Sequence, residues 1–181
     1  MSSLQSQKQL VLLSFRDMVS IAAKAGIFAM TVPPKPNMKF LYSLTAELER
    51  PPSILGNRAI FNVLSGKVDG PELNGTILRS GGDWMTIRPD GSRALDVRLT
   101  IEADDGDLIY CRYLGRMVFP SSMQEMDRSE MHMVDPALYY FRTAPLYETA
   151  SEKYAWLNNI QAIGVGRLTE TGVAYDTFQV L

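Results

Sequence analysis

Histidine and cysteine are nearly missing from this chain of 181 residues, which holds one of each, His132 and Cys111. A single cysteine excludes an internal disulfide and a cysteine-built zinc site. A single histidine, set between Met131 and Met133, supports neither a transition-metal site nor a Ser–His–Asp arrangement. Cys111 lies in an apolar run and reads as a buried small hydrophobe, with a Cys–His pair as the weaker alternative. Charge of one sign is also lacking. There are 18 basic and 20 acidic residues, net charge -2, and no basic tract, so a nucleic-acid partner is not expected. No phosphate loop, nicotinamide or flavin fingerprint is present, and Gly164-Val165-Gly166 alone does not make one. No cofactor is expected.

Long uninterrupted apolar runs are absent too. Val11–Met30 is apolar-rich, but Arg16, Asp17 and Lys24 interrupt it. Those charges argue against a transmembrane segment and against a signal-peptide core. The expected location is cytoplasmic. The stretch reads as an amphipathic helix stopped by Pro33-Pro34-Lys35-Pro36. It would cap a barrel end, meet another subunit or associate weakly with a membrane surface. Residues 1–37 are accordingly read as a helical extension and residues 38–181 as one domain.

What the chain does have is a hydrophobic content of 46%, enough for a core, and many short strand-like segments divided by Gly, Pro and Asp turns. Expected strands are Lys39–Glu49, Arg58–Val68, Asn74–Leu78, Asp83–Ile87, Ala94–Glu102, Leu108–Leu114, Leu138–Thr143, Trp156–Val165 and Val173–Val180. The segment 120–136 reads as a loop with a short helix, and its methionines are suited to covering an opening. Gly164 and Gly166 suggest a bend or the close approach of another backbone. The fold class is all-β, a single antiparallel β-barrel, which removes exposed sheet edges.

Ala94–Glu102 alternates most cleanly. Leu95, Val97, Leu99 and Ile101 share one face, and Asp96, Arg98, Thr100 and Glu102 share the other. A solvated sheet face has this pattern, and so does the polar lining of a small barrel. The hairpin through Asp104-Asp105-Gly106 sets the register. A three-residue loop with glycine in the left-handed region places Tyr110 and Arg112 beside Arg98 and Thr100, whereas a two-residue turn inverts them.

The candidate site follows from the polar-lining reading. Asp83, after two glycines and before Trp84, is the acid candidate: a carboxyl against an aromatic wall is desolvated and keeps its proton near neutral pH. It also suits a turn cap. Asp96 is the first base candidate, with a tyrosinate aided by Arg98 as the alternative. Arg98 either holds a substrate anion or pairs with Asp96. Tyr140 joins the catalytic set. Trp84, Tyr110, Arg112, Arg142, Glu148, Tyr154, Trp156 and Asn158 are substrate-binding candidates, each with a structural alternative in core packing, a salt-bridge network or loop anchoring.

Several phrases together resemble the DUF3237 family, also called UPF0311. They are Gly82-Asp83-Trp84, Arg88-Pro89-Asp90-Gly91, Leu95-Asp96-Val97-Arg98, Asp104-Asp105-Gly106, Leu108-Ile109-Tyr110, Tyr139-Tyr140-Phe141-Arg142-Thr143-Ala144-Pro145, Glu148-Thr149 and Tyr154-Ala155-Trp156-Leu157-Asn158. The resemblance spans about residues 39–181. It implies a closed antiparallel barrel similar to allene-oxide-cyclase and lipocalin-like architectures. It is also compatible with fungal enzymes that close oxygen rings without a cofactor. Many members carry Arg-His-Gly just after the counterpart of Arg112. Here no histidine stands there, so a mechanism built on it does not carry over. The expected function is a cofactor-independent cyclase or isomerase of a small hydrophobic or aromatic secondary metabolite, by addition of a phenol or enol oxygen to an alkene. The alternatives are a lipocalin-like carrier and a structural module. A homodimer through an outer sheet face is compatible with the pattern.

Overall fold

The computed structural model describes Asp17 and residues 35–127 and 129–181. The expected amphipathic helix over Val11–Met30 therefore lies, Asp17 apart, outside the described residues. The described strands are β1 (Met38–Leu48), β2 (Ser53–Leu55), β3 (Arg58–Asp69), β4 (Gly75–Ile77), β5 (Gly82–Ile87), β6 (Arg93–Ala103), β7 (Leu108–Val118), β8 (Tyr140–Glu148), β9 (Ala162–Leu168) and β10 (Gly172–Val180). Around the sheet the order is β1, β10, β9, β8, β7, β6, β4, β3, with β5 also between β6 and β3, and β3 paired back to β1. The ring is closed and antiparallel. Closure is what the family resemblance implied, and because β4 and β5 are two pieces of one stave, the barrel has eight staves. Strand β2 folds back on β3 as a short hairpin.

Alternation explains which side of each strand is buried. On β6, Leu95, Val97, Leu99, Ile101 and Ala103 are buried, while Asp96, Arg98 and Thr100 are half-buried and Glu102 is exposed. On β7, Ile109, Cys111, Tyr113 and Met117 are buried, while Arg112, Leu114, Arg116 and Val118 are exposed. The apolar rows point inward. The polar row of Ala94–Glu102 is thus a solvated outer face, and its reading as barrel lining is corrected. The physical reason is space and solvation. An eight-stranded barrel is just wide enough to be filled by side chains, and each ion taken inside would cost several kcal/mol without compensation.

The register around the hairpin is the expected one. Gly106 N donates to Ala103 O at 2.8 Å, and Ala103 N donates to Asp107 O at 2.9 Å. Gly106 has φ +90, so the three-residue loop uses glycine's freedom in the left-handed region. Arg98 then faces Arg112, and Thr100 faces Tyr110.

Some boundaries moved. Strand β7 runs through Gly115 to Val118, and β8 continues to Glu148 through Pro145, which sits opposite Tyr113. Trp156–Val165 divides into a 3-10 turn at Ala155–Asn159 and the start of β9. The 120–136 segment holds the expected short helix, Ser121–Gln124, with a 3-10 turn at Met131–Met133. At Gly164 and Gly166 side chains approach, not backbone. A Cβ on Gly164 would come within 2.3 Å of Thr143 Oγ1, and one on Gly166 within 2.7 Å of the Phe141 ring.

Candidate active site

The barrel interior is filled at one end and hollow at the other. At the end carrying the β6–β7 hairpin, Tyr42, Leu73, Ile101, Ile109 and Leu157 are fully buried. Tyr42 and Tyr147 meet there through hydroxyls 2.6 Å apart. Toward the other end, Ala46 and Ala59 stand where bulkier side chains would close the space, and a cavity of about 330 Å³ remains. Small-molecule sites occupy roughly 300–1,000 Å³. Arg50, Pro51, Pro52, Arg93 and Met131 are at its mouth side, and among the described residues the remaining walls are apolar apart from Asp83, Tyr113 and Tyr175.

Asp83 is the chemically distinctive group. It is only 9% exposed. The β5–β6 ladder pairs Asp83 with Val97 and resumes at Thr86 and Ala94. In the interval, the Asp96 N–H donates to Asp83 Oδ1 at 3.1 Å. Burial is the largest influence on this carboxyl and raises it to about 7, the Asp96 N–H opposes the rise, and the Asp96 charge adds to it. A carboxyl in that range is substantially protonated at neutral pH, so it can act as a general acid.

Tyr113 and Tyr175 are 5% and 3% exposed. Their rings lie edge to face with centroids 5.7 Å apart, and Tyr175 packs in the same way on Phe141 at 5.2 Å. Burial drives both phenols far above the ordinary tyrosine range, and both feel each other and the charge of Asp83. They are neutral hydrogen-bonding groups in an apolar wall. Cys111 is likewise buried and its thiol is pushed upward by desolvation, so it is no nucleophile.

Of the catalytic and substrate-binding candidates, Asp83 alone lines this cavity. Trp84, the next residue on β5, faces out. The Arg98 guanidinium lies 5.2 Å from its ring centroid, and Arg98 pairs with Asp96 at 3.1 Å. The desolvating wall beside Asp83 is therefore the cavity lining and not Trp84. Tyr110, Arg112, Tyr140 and Arg142 belong to the outer face of β7 and β8, where Arg142 lies 5.2 Å over the Tyr140 ring. Glu148, Tyr154, Trp156 and Asn158 are at the filled end. Glu148 is exposed opposite Tyr110. Tyr154 donates to Asp105 at 3.2 Å, and Trp156 packs half-buried against the core. Asn158 accepts from Thr149 N at 2.9 Å and donates to Thr149 O at 3.0 Å, which anchors the loop.

The methionine segment packs on the core through Met123, Met126 and Met131. Met131 lines the cavity, Met123 is buried and Met133 is exposed. Among the described residues no three His, Cys, Asp or Glu side chains converge on a metal-holding position. Among them, too, no helix is long and apolar enough to cross a membrane.

Closure, strand count and an interior hollow of small-molecule size define a barrel of the lipocalin-like kind. The chain belongs to the DUF3237 family, described as a protein family of unknown function, whose match runs over residues 36–180. A UPF0311 protein of Clostridium acetobutylicum is 38% identical over 74% of this chain and 88% of its own length. A crystal structure of a conserved protein of unknown function from Rhodopseudomonas palustris superposes with TM-score 0.75 at 29% identity, over 83% of this chain and 100% of that one. The hydroalkoxylation enzyme phnH of Penicillium herquei is 30% identical over 84% of this chain and 89% of its own.

Proposed function

We propose that the protein is a cofactor-independent cyclase that closes an oxygen ring by adding a phenol or enol O–H across an alkene of the same small apolar molecule. The observation that carries this reading is Asp83, a carboxyl raised to about 7 inside an otherwise largely apolar cavity. Kinship with a hydroalkoxylation enzyme supports it. The addition is redox-neutral, so a proton donor, a bound conformation that brings oxygen to carbon, and a proton acceptor suffice. Asp83 supplies the first and the cavity walls the second. A raised pKa keeps the proton in place but makes the acid weaker. The alkene must therefore yield a tertiary or resonance-stabilised cation.

The test is incubation with 2-prenylphenol, whose ring closure gives 2,2-dimethylchroman of unchanged mass. In heavy water one deuterium should enter carbon 3 of the product. Asp83→Asn should lower turnover by roughly 10²–10⁴-fold while the phenol still binds. Equal turnover by the variant would remove Asp83 from the mechanism. A carrier role is favoured by the same apolar lining. Retention of the phenol with no product would support it over the cyclase.

A further inference from the structure

An addition of this kind needs an acceptor for the proton that leaves the oxygen, and Asp96 cannot take it from inside. Its carboxylate is on the outer face in a pair with Arg98. Among the described residues, Asp83 is the only carboxyl lining the cavity, and the other side-chain oxygens there are the hydroxyls of Tyr113 and Tyr175. Register places the first of these: Asp83 pairs with Val97 on β6, and Val97 pairs with Tyr113 on β7. Asp83 and Tyr113 thus occupy one row across three staves, both facing inward, with backbones about 10 Å apart at roughly 4.8 Å per strand. Tyr175 enters from β10 and meets Tyr113 ring to ring. Apolar groups, including Phe61, Leu99 and Phe141, complete the walls. A buried phenol in such a wall needs a polar partner, and here each tyrosine is the other's neighbour, with Asp83 near both.

We propose that the Tyr113–Tyr175 pair is the oxygen site of the reaction: it holds the substrate hydroxyl and conveys that hydroxyl's proton back to Asp83 as the ring closes. The inference rests on the cyclase reading and assigns the role that reading leaves open. The proton count closes. The Asp83 proton adds to the alkene carbon, forming a C–H bond, breaking the π bond and leaving a carboxylate and a cation. The substrate oxygen attacks the cation, forming the C–O bond. Its O–H breaks, one tyrosine oxygen accepts that proton while releasing its own, and Asp83 is re-protonated. No oxidant, reductant or external base enters. The substrate class is correspondingly an apolar alkene with a free phenolic or enolic hydroxyl. An ether or ester at that oxygen would be excluded.

The experiment compares 2-propylphenol with propylbenzene, two unreactive probes that differ by one hydroxyl, and adds 2-prenylphenol for turnover. The wild-type protein should bind 2-propylphenol at least tenfold more tightly than propylbenzene, by calorimetric titration. Tyr113→Phe and Tyr175→Phe should each erase most of that preference while leaving propylbenzene affinity within about threefold, which a loss of fold would not do. Both variants should lower kcat for 2-prenylphenol at least tenfold. Asp83→Asn should remove turnover yet keep the hydroxyl preference. No hydroxyl preference in the wild type, or its survival in both phenylalanine variants, overturns the proposal. An intact preference with no wild-type turnover overturns the cyclase reading and the proton transfer with it, and supports only the oxygen site. Wild-type kcat in both variants overturns the transfer.

Discussion

The two ends of this barrel are built from the same strands and the same alternation, yet one is filled and the other hollow. At the hairpin end the inward positions hold Ile101, Ile109, Tyr42 and Tyr147, and Leu157 comes in from the loop after β8. At the mouth end they include Ala46 and Ala59, small side chains that leave the cavity open. The difference predicts that stability is concentrated near the β6–β7 hairpin, while the half near Asp83 carries a group that the fold would be better without.

The sharpest test of that division is Asp83→Asn. In the folded chain the carboxyl titrates near 7 against an ordinary 3.8. Below about pH 4 both folded and unfolded states are protonated and the group is neutral to stability. Between about 4 and 7 the unfolded state ionises first, so stability falls as pH rises, and above 7 the loss is complete at about 4 kcal/mol. The asparagine variant should therefore match the wild type near pH 4 and exceed it by up to that amount near pH 8 in denaturant melts. Turnover by the wild type should decline as pH passes 7. An identical pH dependence of stability in the two proteins would break the comparison.

Truncations come next. Ile109→Ala, at a fully buried position of the filled end, should cost about 3–4 kcal/mol. Ile87→Ala, on the half-buried cavity wall, should cost about 1 kcal/mol, because less contact is lost beside existing space. Urea midpoints decide it, and equal costs would mean that the hollow end is as tightly supported. Enlargement gives the reverse contrast. Ala103→Leu, among the packed side chains, should lose about 1–3 kcal/mol by overpacking. Ala59→Leu, beside the cavity, should lose under about 1 kcal/mol and weaken 2-propylphenol binding at least tenfold. The smallest effect is expected outside. Arg98→Ala removes a half-exposed pair with Asp96 on the outer face, so stability should change by less than about 1 kcal/mol and turnover by less than twofold. A large loss of turnover would restore the outer face as a candidate site.

Much of the fold was legible because turns and alternation are local. Asp104-Asp105-Gly106 set the hairpin register, and Gly, Pro and Asp clusters marked most strand ends. The direction of each face was not local. Alternation separates Leu95, Val97 and Leu99 from Asp96, Arg98 and Thr100, but it is the same whether the polar row faces water or a lumen. The choice depends on how much room eight closed strands leave. The same uncertainty hid Tyr113 and Tyr175. They stand in apolar-looking rows, Cys111-Tyr113 and Val173-Tyr175, where a tyrosine reads as core. The available signal was a phenol oxygen in an inward row, which needs a partner. Asp83 is legible from its setting, two glycines before it and Trp84 after it, although Trp84 packs on Arg98 at the outer face and does not desolvate Asp83.

The bond between the Asp96 N–H and Asp83 Oδ1 has a stereochemical consequence. With one oxygen committed to the backbone, the proton belongs on the other, and the carboxyl cannot turn freely to offer it elsewhere. In the proposed cyclisation, a planar double bond fixed by the cavity walls would then meet its proton from one side. The substrate oxygen would have one face of the resulting cation within reach. Where the new ring carbons are stereogenic, the product should be a single enantiomer, its handedness set by a main-chain amide.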